Sequence, residues 1–234
     1  MAKRAAIAVL LIAAGLATAT SRAESPARDV SSHTECAWLD RVSFLGLAAL
    51  ATAATWDVDE DGVFAGRLET SPLEGVIDFG NTWGDGRVIG GGATAVFVAG
   101  ALGGDPGAKR LGADLMRSYA LSGVTTLALK GAVDRRRPTG GRYSFPSGHT
   151  SSAFSIVPAL HHHLGWRASA PALGLGVITA LGRLQDRHHY LSDVIFGAAV
   201  GWAAGDLALR AWGTDTGGGR LALAPGAAGF AARF

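Results

Sequence analysis

Three short groups of basic, hydroxyl and histidine residues in the second half of the chain predict a site for phosphate chemistry. They are Lys130 with Arg137-Pro138, the run Pro146-Ser147-Gly148-His149, and Arg183 with His189 and Asp193. A phosphoryl group in transfer spreads negative charge over its oxygens, and cationic donors must neutralise that charge. The two arginines can each form a planar bidentate fork to phosphate, whereas the lysine acts as a point charge.

The second group predicts the start of a helix that faces an anion. Ser147 follows a proline and precedes an apolar run, which is typical of an N-cap residue. The first turn after it, beginning at Gly148, has backbone N–H groups and a helix dipole that attract phosphate. Ser147 can also donate its hydroxyl proton. We therefore expect Ser147 and Gly148 to bind phosphate together with Lys130, Arg137 and Arg183.

The third group predicts a nucleophile. His189 and Asp193 are four residues apart, which places them on one face of a helix. The carboxylate can hold one imidazole nitrogen and stabilise the cation that forms when the other nitrogen attacks phosphorus. His188 has no acid at this spacing, because residue 192 is a serine. His149 is the expected general acid for the departing alkoxide, and the scheme requires no metal.

These residues resemble the signature of the type-2 phosphatidic acid phosphatase superfamily, which also includes bacterial class A acid phosphatases and vanadium haloperoxidases. That signature reads K-x6-RP, PSGH and SR-x5-H-x3-D, and the chain departs from it at one position. Gly182 stands where the pattern has the serine that precedes the arginine, so a hydroxyl contact is missing. The motifs span residues 130 to 193, and the helical pattern fits from about residue 88 to 212.

The resemblance implies a metal-independent phosphatase without a cofactor, acting on a phosphate or pyrophosphate monoester through a phosphohistidine at His189. The family's lipid substrates include phosphatidic acid, phosphatidylglycerol phosphate, isoprenoid pyrophosphates and lipid A, and the apolar helices favour a phosphorylated lipid over a small soluble ester. Two alternatives stay open. One is a vanadium haloperoxidase that holds vanadate through His189, and the other is a non-enzymatic membrane protein with a vestigial site.

Six apolar segments predict an all-α bundle of about six core helices, and the resemblance implies that the bundle is of the acid phosphatase/haloperoxidase type. Of 234 residues, 48% are hydrophobic and 17% are charged, which suits a large core or membrane-embedded helices. The net charge is only +2, and the basic residues gather near the motifs, so no nucleic-acid partner is expected. The oligomeric state stays open. The six apolar segments lie at 43–56, 88–104, 115–133, 150–164, 168–182 and 194–210.

The ends of the chain differ from this central bundle. Residues 1–23 resemble a bacterial export signal, with Lys3-Arg4 before an apolar run and small residues after it. An uncleaved anchor is the alternative reading. Residues 24–212 form the predicted phosphatase-type domain. Residues 213–234 form a Gly-rich linker and a tail in which two short apolar runs suggest a hairpin.

The export signal predicts a location in the bacterial envelope, with the site facing the periplasm. Several segments are nearer 15 residues than the roughly 20 that a membrane span needs. We favour an integral inner-membrane protein slightly over a soluble periplasmic one. Gly197, Gly201 and Gly205 form a small-residue stripe that allows another helix to approach closely.

Two other groups of residues give weaker signals. Residues 57–62 open like a calcium-binding loop, but its twelfth position is Leu68 rather than an acid, so we expect a solvated acidic loop containing Asp57, Asp59 and Asp61. The triplet His161-His162-His163 is expected at a helix end far from the motifs, as an interfacial or solvated cluster.

Overall fold

The computed structural model describes residues 33–56, 59, 74–212, 220–224 and 227–231. The predicted export signal, the Gly-rich linker and most of the acidic loop lie outside these residues. Within them the chain forms eight α-helices and a two-stranded hairpin, so the predicted all-α bundle is confirmed. The helices are α1 (His33–Trp56), α2 (Glu74–Trp83), α3 (Gly86–Leu102), α4 (Pro106–Val133), α5 (Gly148–Ser155), α6 (Val157–Leu164), α7 (Trp166–Gln185) and α8 (Leu191–Trp212).

The structure corrects the predicted helices at two places. The segment 150–164 is divided at Ile156 into α5 and α6, because Pro158 cannot donate a backbone hydrogen bond to the preceding turn and instead lies in the first turn of α6. The helix α2 was not predicted at all. It has only ten residues and contains Gly75 and Gly80, which are poor helix formers. Its stability comes from packing against α7.

The apolar helix α8 lies in the centre of the bundle and packs against α1, α4 and α5. The predicted glycine stripe is confirmed as the surface of close approach. A Cβ atom on Gly197, Gly201 or Gly205 would lie 2.7, 2.2 or 2.2 Å from the backbone oxygen of a serine in or next to α5. These separations are too short for any side chain, so glycine is what allows α5 to pack directly on α8.

Four helix ends meet at one end of the bundle. They are the carboxyl ends of α4 and α7 and the amino ends of α5 and α8, which carry the predicted site residues. Asp134 ends α4 in the left-handed conformation, with φ of 46°, and its N–H donates to the Lys130 carbonyl. In the loop that follows, Phe145 is buried and stacks on Phe196, with ring centroids 5.0 Å apart. This contact joins the loop to α8.

The tail forms the predicted hairpin. Strand β1 (Arg220–Ala224) pairs antiparallel with β2 (Ala227–Ala231), with Arg220 opposite Ala231 and Ala224 opposite Ala227. Two strands alone are only marginally stable.

One helix among the described residues, α8, is long and apolar enough to cross a membrane by length and composition, and 56% of its apolar window is buried in the fold. Large apolar side chains are also exposed on the outer helices. The most exposed are Leu47, Leu50, Leu102, Val124, Leu127 and Trp166.

Candidate active site

The centre of the site is a buried pair of His189 and Asp193. Nδ1 of His189 lies 3.4 Å from Oδ2 of Asp193, and the two side chains are 3% and 0% exposed. This distance is long for a hydrogen bond, so the contact is mainly electrostatic and orients the ring. The helical spacing predicted from the sequence therefore does bring the two groups together, although His189 itself lies just before α8 begins.

Asp193 is held from several sides. Its Oδ2 accepts hydrogen bonds from the Ser144 hydroxyl and, at 2.9 Å, from the backbone N–H of Tyr190. Its Oδ1 accepts from Nη1 of Arg135 at 2.9 Å. These donors keep the carboxylate ionised and fix its direction, and a fixed carboxylate can hold the imidazole in one orientation.

Arg135 was not singled out by the sequence analysis. Its guanidinium carbon lies 3.9 Å from the ring centroid of Trp56 and 4.0 Å from that of Tyr190, so the group is sandwiched between two aromatic faces. It donates to Ser192, Asp193 and Asp59. Its position beside a motif residue gave no signal of this role.

Asp59 also differs from its prediction. The expected solvated acid is instead buried, with 8% of its surface exposed. Its carboxylate accepts from the backbone N–H groups of Leu191 and Ser192, at 3.0 and 3.3 Å, and from the Ser192 hydroxyl. Asp59 therefore caps the amino end of α8 from a distant part of the chain, because a helix start has N–H groups without partners in its own helix. Asp57 and Asp61 lie outside the described residues.

The amino end of α5 lies beside this pair. Ser147 is the N-cap, as predicted, and its Oγ accepts from the Thr150 hydroxyl at 3.0 Å. Its backbone N–H donates to the Asp193 carbonyl at 3.0 Å, which ties α5 to α8. Ser147 is fully buried, so the hydroxyl contact with phosphate stays a prediction. A Cβ on Gly148 would lie 3.8 Å from Cε of Lys130, which places the lysine over the helix start.

Three cations act electrostatically on the two histidines: Lys130 and Arg137 on His189, and Arg183 on His149. Lys130 donates from Nζ to the Tyr143 carbonyl at 2.7 Å, and Arg137 donates from Nε to the Arg142 carbonyl at 3.2 Å. Arg183 is 7% exposed, and its Nε is buried without an acceptor among the described residues. A buried cationic donor without an acceptor is the feature that an anion would satisfy.

Burial shifts both histidines toward the neutral form. It lowers the pKa of His189 to about 4, although Asp193 acts in the opposite direction. It also lowers the pKa of His149 to about 4, and the Arg183 cation adds to that effect. A neutral imidazole suits a nucleophile. A general acid must be protonated, so His149 would need a bound dianion to raise its pKa.

The histidine triplet lies at the opposite end of the bundle and is partly different from its prediction. His161 and His162 are exposed, but the His163 side chain is only 12% exposed and its Nε2 lies 2.9 Å from Oδ2 of the buried Asp114. Within the described ranges there is no group of three or more His, Cys, Asp or Glu residues arranged to hold a metal.

Residues 111–216 match the PAP2 superfamily, and this stretch contains all the motifs described above. The expected resemblance is therefore confirmed over this stretch, which runs from α4 to the end of α8.

The similarity to individual curated proteins extends over shorter stretches of the chain. The chain is 37% identical over 92 residues to a lipid A 1-phosphatase of Porphyromonas gingivalis and 28% identical over 86 residues to a lipid A 4'-phosphatase of Helicobacter pylori. These alignments cover 38% and 32% of this chain. The chain spans only 21% and 43% of the lengths of these two relatives.

Two solved PAP2 structures share the fold. LpxE of Aquifex aeolicus matches with a TM-score of 0.50 at 23% identity, over 60% of this chain and 87% of its own. A transmembrane PAP2-type phosphatidylglycerolphosphate phosphatase of Bacillus subtilis matches with a TM-score of 0.53 at 22% identity, over 72% and 93%.

Proposed function

We propose that the protein is a metal-independent phosphatase that hydrolyses a lipid phosphate or pyrophosphate monoester through a phosphohistidine on His189. The observation that carries this proposal is the buried His189–Asp193 pair at a helix junction, surrounded by Lys130, Arg137 and Arg183. Three cations and the amino end of α5 can neutralise a phosphoryl group without a divalent ion.

In the first step, the nitrogen of His189 that does not face Asp193 attacks phosphorus. The N–P bond forms as the bond from phosphorus to the leaving oxygen breaks, and His149 gives its proton to that oxygen. Asp193 stabilises the positive charge that develops on the ring. Its own contacts with Ser144, Tyr190 and Arg135 keep it in place.

In the second step, water attacks the phosphohistidine. His149, now neutral, takes a proton from the water as the new P–O bond forms and the N–P bond breaks. Inorganic phosphate leaves, and both histidines return to their starting states. The low pKa of His189 supports this cycle, since a neutral imidazole is restored as the leaving group.

A lipid substrate is supported by the relatives and by the exposed apolar side chains. The two lipid A phosphatases and the phosphatidylglycerolphosphate phosphatase are named for phosphorylated lipids. Exposed apolar side chains on α1, α3, α4 and α7 suit contact with lipid chains. We infer that the protein is associated with a membrane and that its substrate reaches the site from the bilayer.

The orientation in that membrane belongs to the same proposal. Lys109, Arg110 and Arg167 lie at the starts of α4 and α7, and Arg210 lies at the end of α8, so all four are at the helix ends opposite the site. Basic residues tend to stay on the cytoplasmic side. We therefore propose that the catalytic end faces the periplasm.

The experiment that tests the function measures phosphate release by the purified protein. The panel contains phosphatidic acid, phosphatidylglycerol phosphate, lipid A, an isoprenoid pyrophosphate and soluble nitrophenyl phosphate. We expect release from at least one lipid, unchanged by chelators and inhibited by vanadate, which resembles phosphate in charge and shape. A strict requirement for a divalent metal would contradict the mechanism. Halide oxidation by the vanadate-loaded protein, without hydrolysis, would instead identify a haloperoxidase.

A further inference from the structure

Asn81 of α2 occupies the space beside Gly182 of α7. A Cβ atom on Gly182 would lie 2.4 Å from Oδ1 and 2.8 Å from Cγ of Asn81. Any side chain at residue 182 would therefore displace the amide. Residue 182 is also the position at which the chain has glycine instead of the serine of the signature. The absence of a side chain there leaves the space that Asn81 occupies.

The amide of Asn81 links Arg183 to Asp186. Its Oδ1 accepts from Nη1 of Arg183 at 3.1 Å, and its Nδ2 donates to Oδ2 of Asp186 at 3.0 Å. The same Asp186 oxygen lies 3.3 Å from Nη1 of Arg183. Both the donor and the acceptor of the amide are used, which fixes its orientation.

The position of Asn81 is itself fixed by the contact between α2 and α7. The Thr179 hydroxyl donates to the Gly80 carbonyl at 2.7 Å, and a Cβ on Gly80 would lie 2.5 Å from Cγ2 of Ile178. The two backbones are thus in direct contact one residue before Asn81. This contact holds the backbone of Asn81 next to the end of α7 that carries Arg183.

These contacts leave one edge of the Arg183 fork for a ligand. Nη1 is held by Asn81 and Asp186, whereas the buried Nε has no acceptor among the described residues. An arginine binds phosphate best through two parallel N–H groups on one edge. Since an asparagine is neutral, it can hold the guanidinium without cancelling its charge.

We propose that Asn81 is a positioning residue for Arg183, and that residue 182 is glycine so that Asn81 can reach it. Asn81 turns the Nε edge of the guanidinium toward the phosphoryl group. The inference rests on the proposed function for the identity of the ligand, but its contacts do not depend on turnover.

The first test is a double-mutant cycle. Asn81→Ala should lower kcat/KM by about tenfold to a hundredfold and weaken vanadate binding by a similar factor. Without Asn81, the Arg183 guanidinium is no longer held in the orientation that binds the transferring phosphoryl group. In an Arg183→Ala background the same change should cost nothing further, since Asn81 acts only through that side chain. Thr82→Ala is the matched control, because Thr82 is the exposed neighbour on α2 and its hydroxyl donates to the Asp78 carbonyl of the same helix. It should behave as the wild type.

The second test exchanges the two residues. Gly182→Ser alone should lower the midpoint of thermal unfolding and the affinity for vanadate, because the new side chain and Asn81 cannot share the space. Adding Asn81→Ala should recover most of the lost stability. A Gly182→Ser protein as stable and as active as the wild type would overturn the packing argument.

The outcomes separate this inference from the proposed function. Equal losses from Asn81→Ala with and without Arg183 would overturn the positioning role while leaving the phosphatase proposal intact. If the vanadate affinities of the wild type and the variants show the expected coupling between Asn81 and Arg183, but the wild type hydrolyses no ester, the phosphatase proposal is refuted and the positioning role stands. A wild-type protein that binds neither vanadate nor phosphate would overturn both.

Discussion

At the scale of single residues, the site depends on side chains that are buried and directed by others. Asp193 has three hydrogen-bond donors besides its contact with His189, and Arg135 is fixed between two aromatic rings. Such preorganisation is what allows a weak nucleophile to act, because the groups do not have to reorganise during the reaction. The first two predictions concern the two histidines.

Replacing His189 by glutamine should abolish turnover and the trapping of labelled phosphate on the protein. Glutamine keeps a polar side chain of similar size but has no nucleophilic ring nitrogen. The matched control is His188→Gln, which changes the neighbouring, 42% exposed histidine and should retain both activities. Rapid acid quench after a pulse of labelled substrate measures the covalent species. Labelling that persists without His189 and disappears without His188 would reverse the assignment.

Replacing His149 by glutamine should reduce the rate far more for an alkyl phosphate than for nitrophenyl phosphate, whose leaving group needs no proton. The wild-type pH profile gives a second check. Because the free enzyme holds His149 with a pKa of about 4, its protonated fraction falls as pH rises, and kcat/KM for the alkyl ester should fall from about pH 5 to about pH 7. A flat profile, or equal losses on both esters, would remove the proton donor role from His149.

At the scale of elements, the site forms where helix ends are held together by contacts that tolerate little change. The backbone of α5 touches the glycine face of α8, and Asp59 caps the amino end of α8. The first contact sets the distance between α5, whose amino end is the expected phosphate site, and α8, which carries Asp193. The second fixes the amino end of α8 and Arg135. The next two predictions test them.

Gly201→Ala should destabilise the protein by about 1–3 kcal/mol, because its Cβ would lie 2.2 Å from the Ser151 carbonyl oxygen and would push α5 from α8. Gly174→Ala, in the exposed part of α7, is the control. No atom lies within 4 Å of its added Cβ, and alanine is the better helix former, so stability should rise or stay the same. Denaturant unfolding measures both, and equal effects would contradict close packing.

Asp59→Ala should cost about 2–3 kcal/mol, because buried Arg135 loses one of its two carboxylate partners and the N–H groups of Leu191 and Ser192 lose their acceptor. Asp134→Ala removes an exposed pair with Arg142 and should cost less than about 1 kcal/mol. The same unfolding measurement compares them. A loss for Asp59 no larger than that for Asp134 would show that its carboxylate does not anchor α8.

At the scale of the whole molecule, the site and a second group of basic residues lie at opposite ends of the same helices; this second group is Lys109, Arg110, Arg167 and Arg210. Thr139 lies in the exposed loop between Arg137 and the α5 start, so a cysteine there reports the side of the membrane that the site faces. The change is made in a Cys36→Ser background, which removes the natural thiol. We expect Thr139→Cys to react with an impermeant thiol reagent when only the outer membrane is permeabilised. Reaction only after the inner membrane is broken, with a periplasmic control already labelled, would place the site in the cytoplasm.

The sequence by itself was sufficient to predict the helical bundle, the order of the motifs, the Ser147 cap and the His189–Asp193 pair. These depend on short-range spacing, and a helix brings residues four apart together wherever it lies. The glycine stripe was predicted for the same reason. The helix that packs against the stripe, α5, was not predicted, because only the fold brings α5 onto α8.

The tertiary structure decided everything that joins distant parts of the chain. Asp59, Arg135 and Asn81 act on residues 132, 58 and 102 positions away. No local pattern marks them, because their roles depend on burial and on which helix ends meet. Gly182 illustrates this difference. From the sequence, it meant only that the serine hydroxyl of the signature was missing. In the fold, its lack of a side chain leaves the space in which Asn81 reaches Arg183.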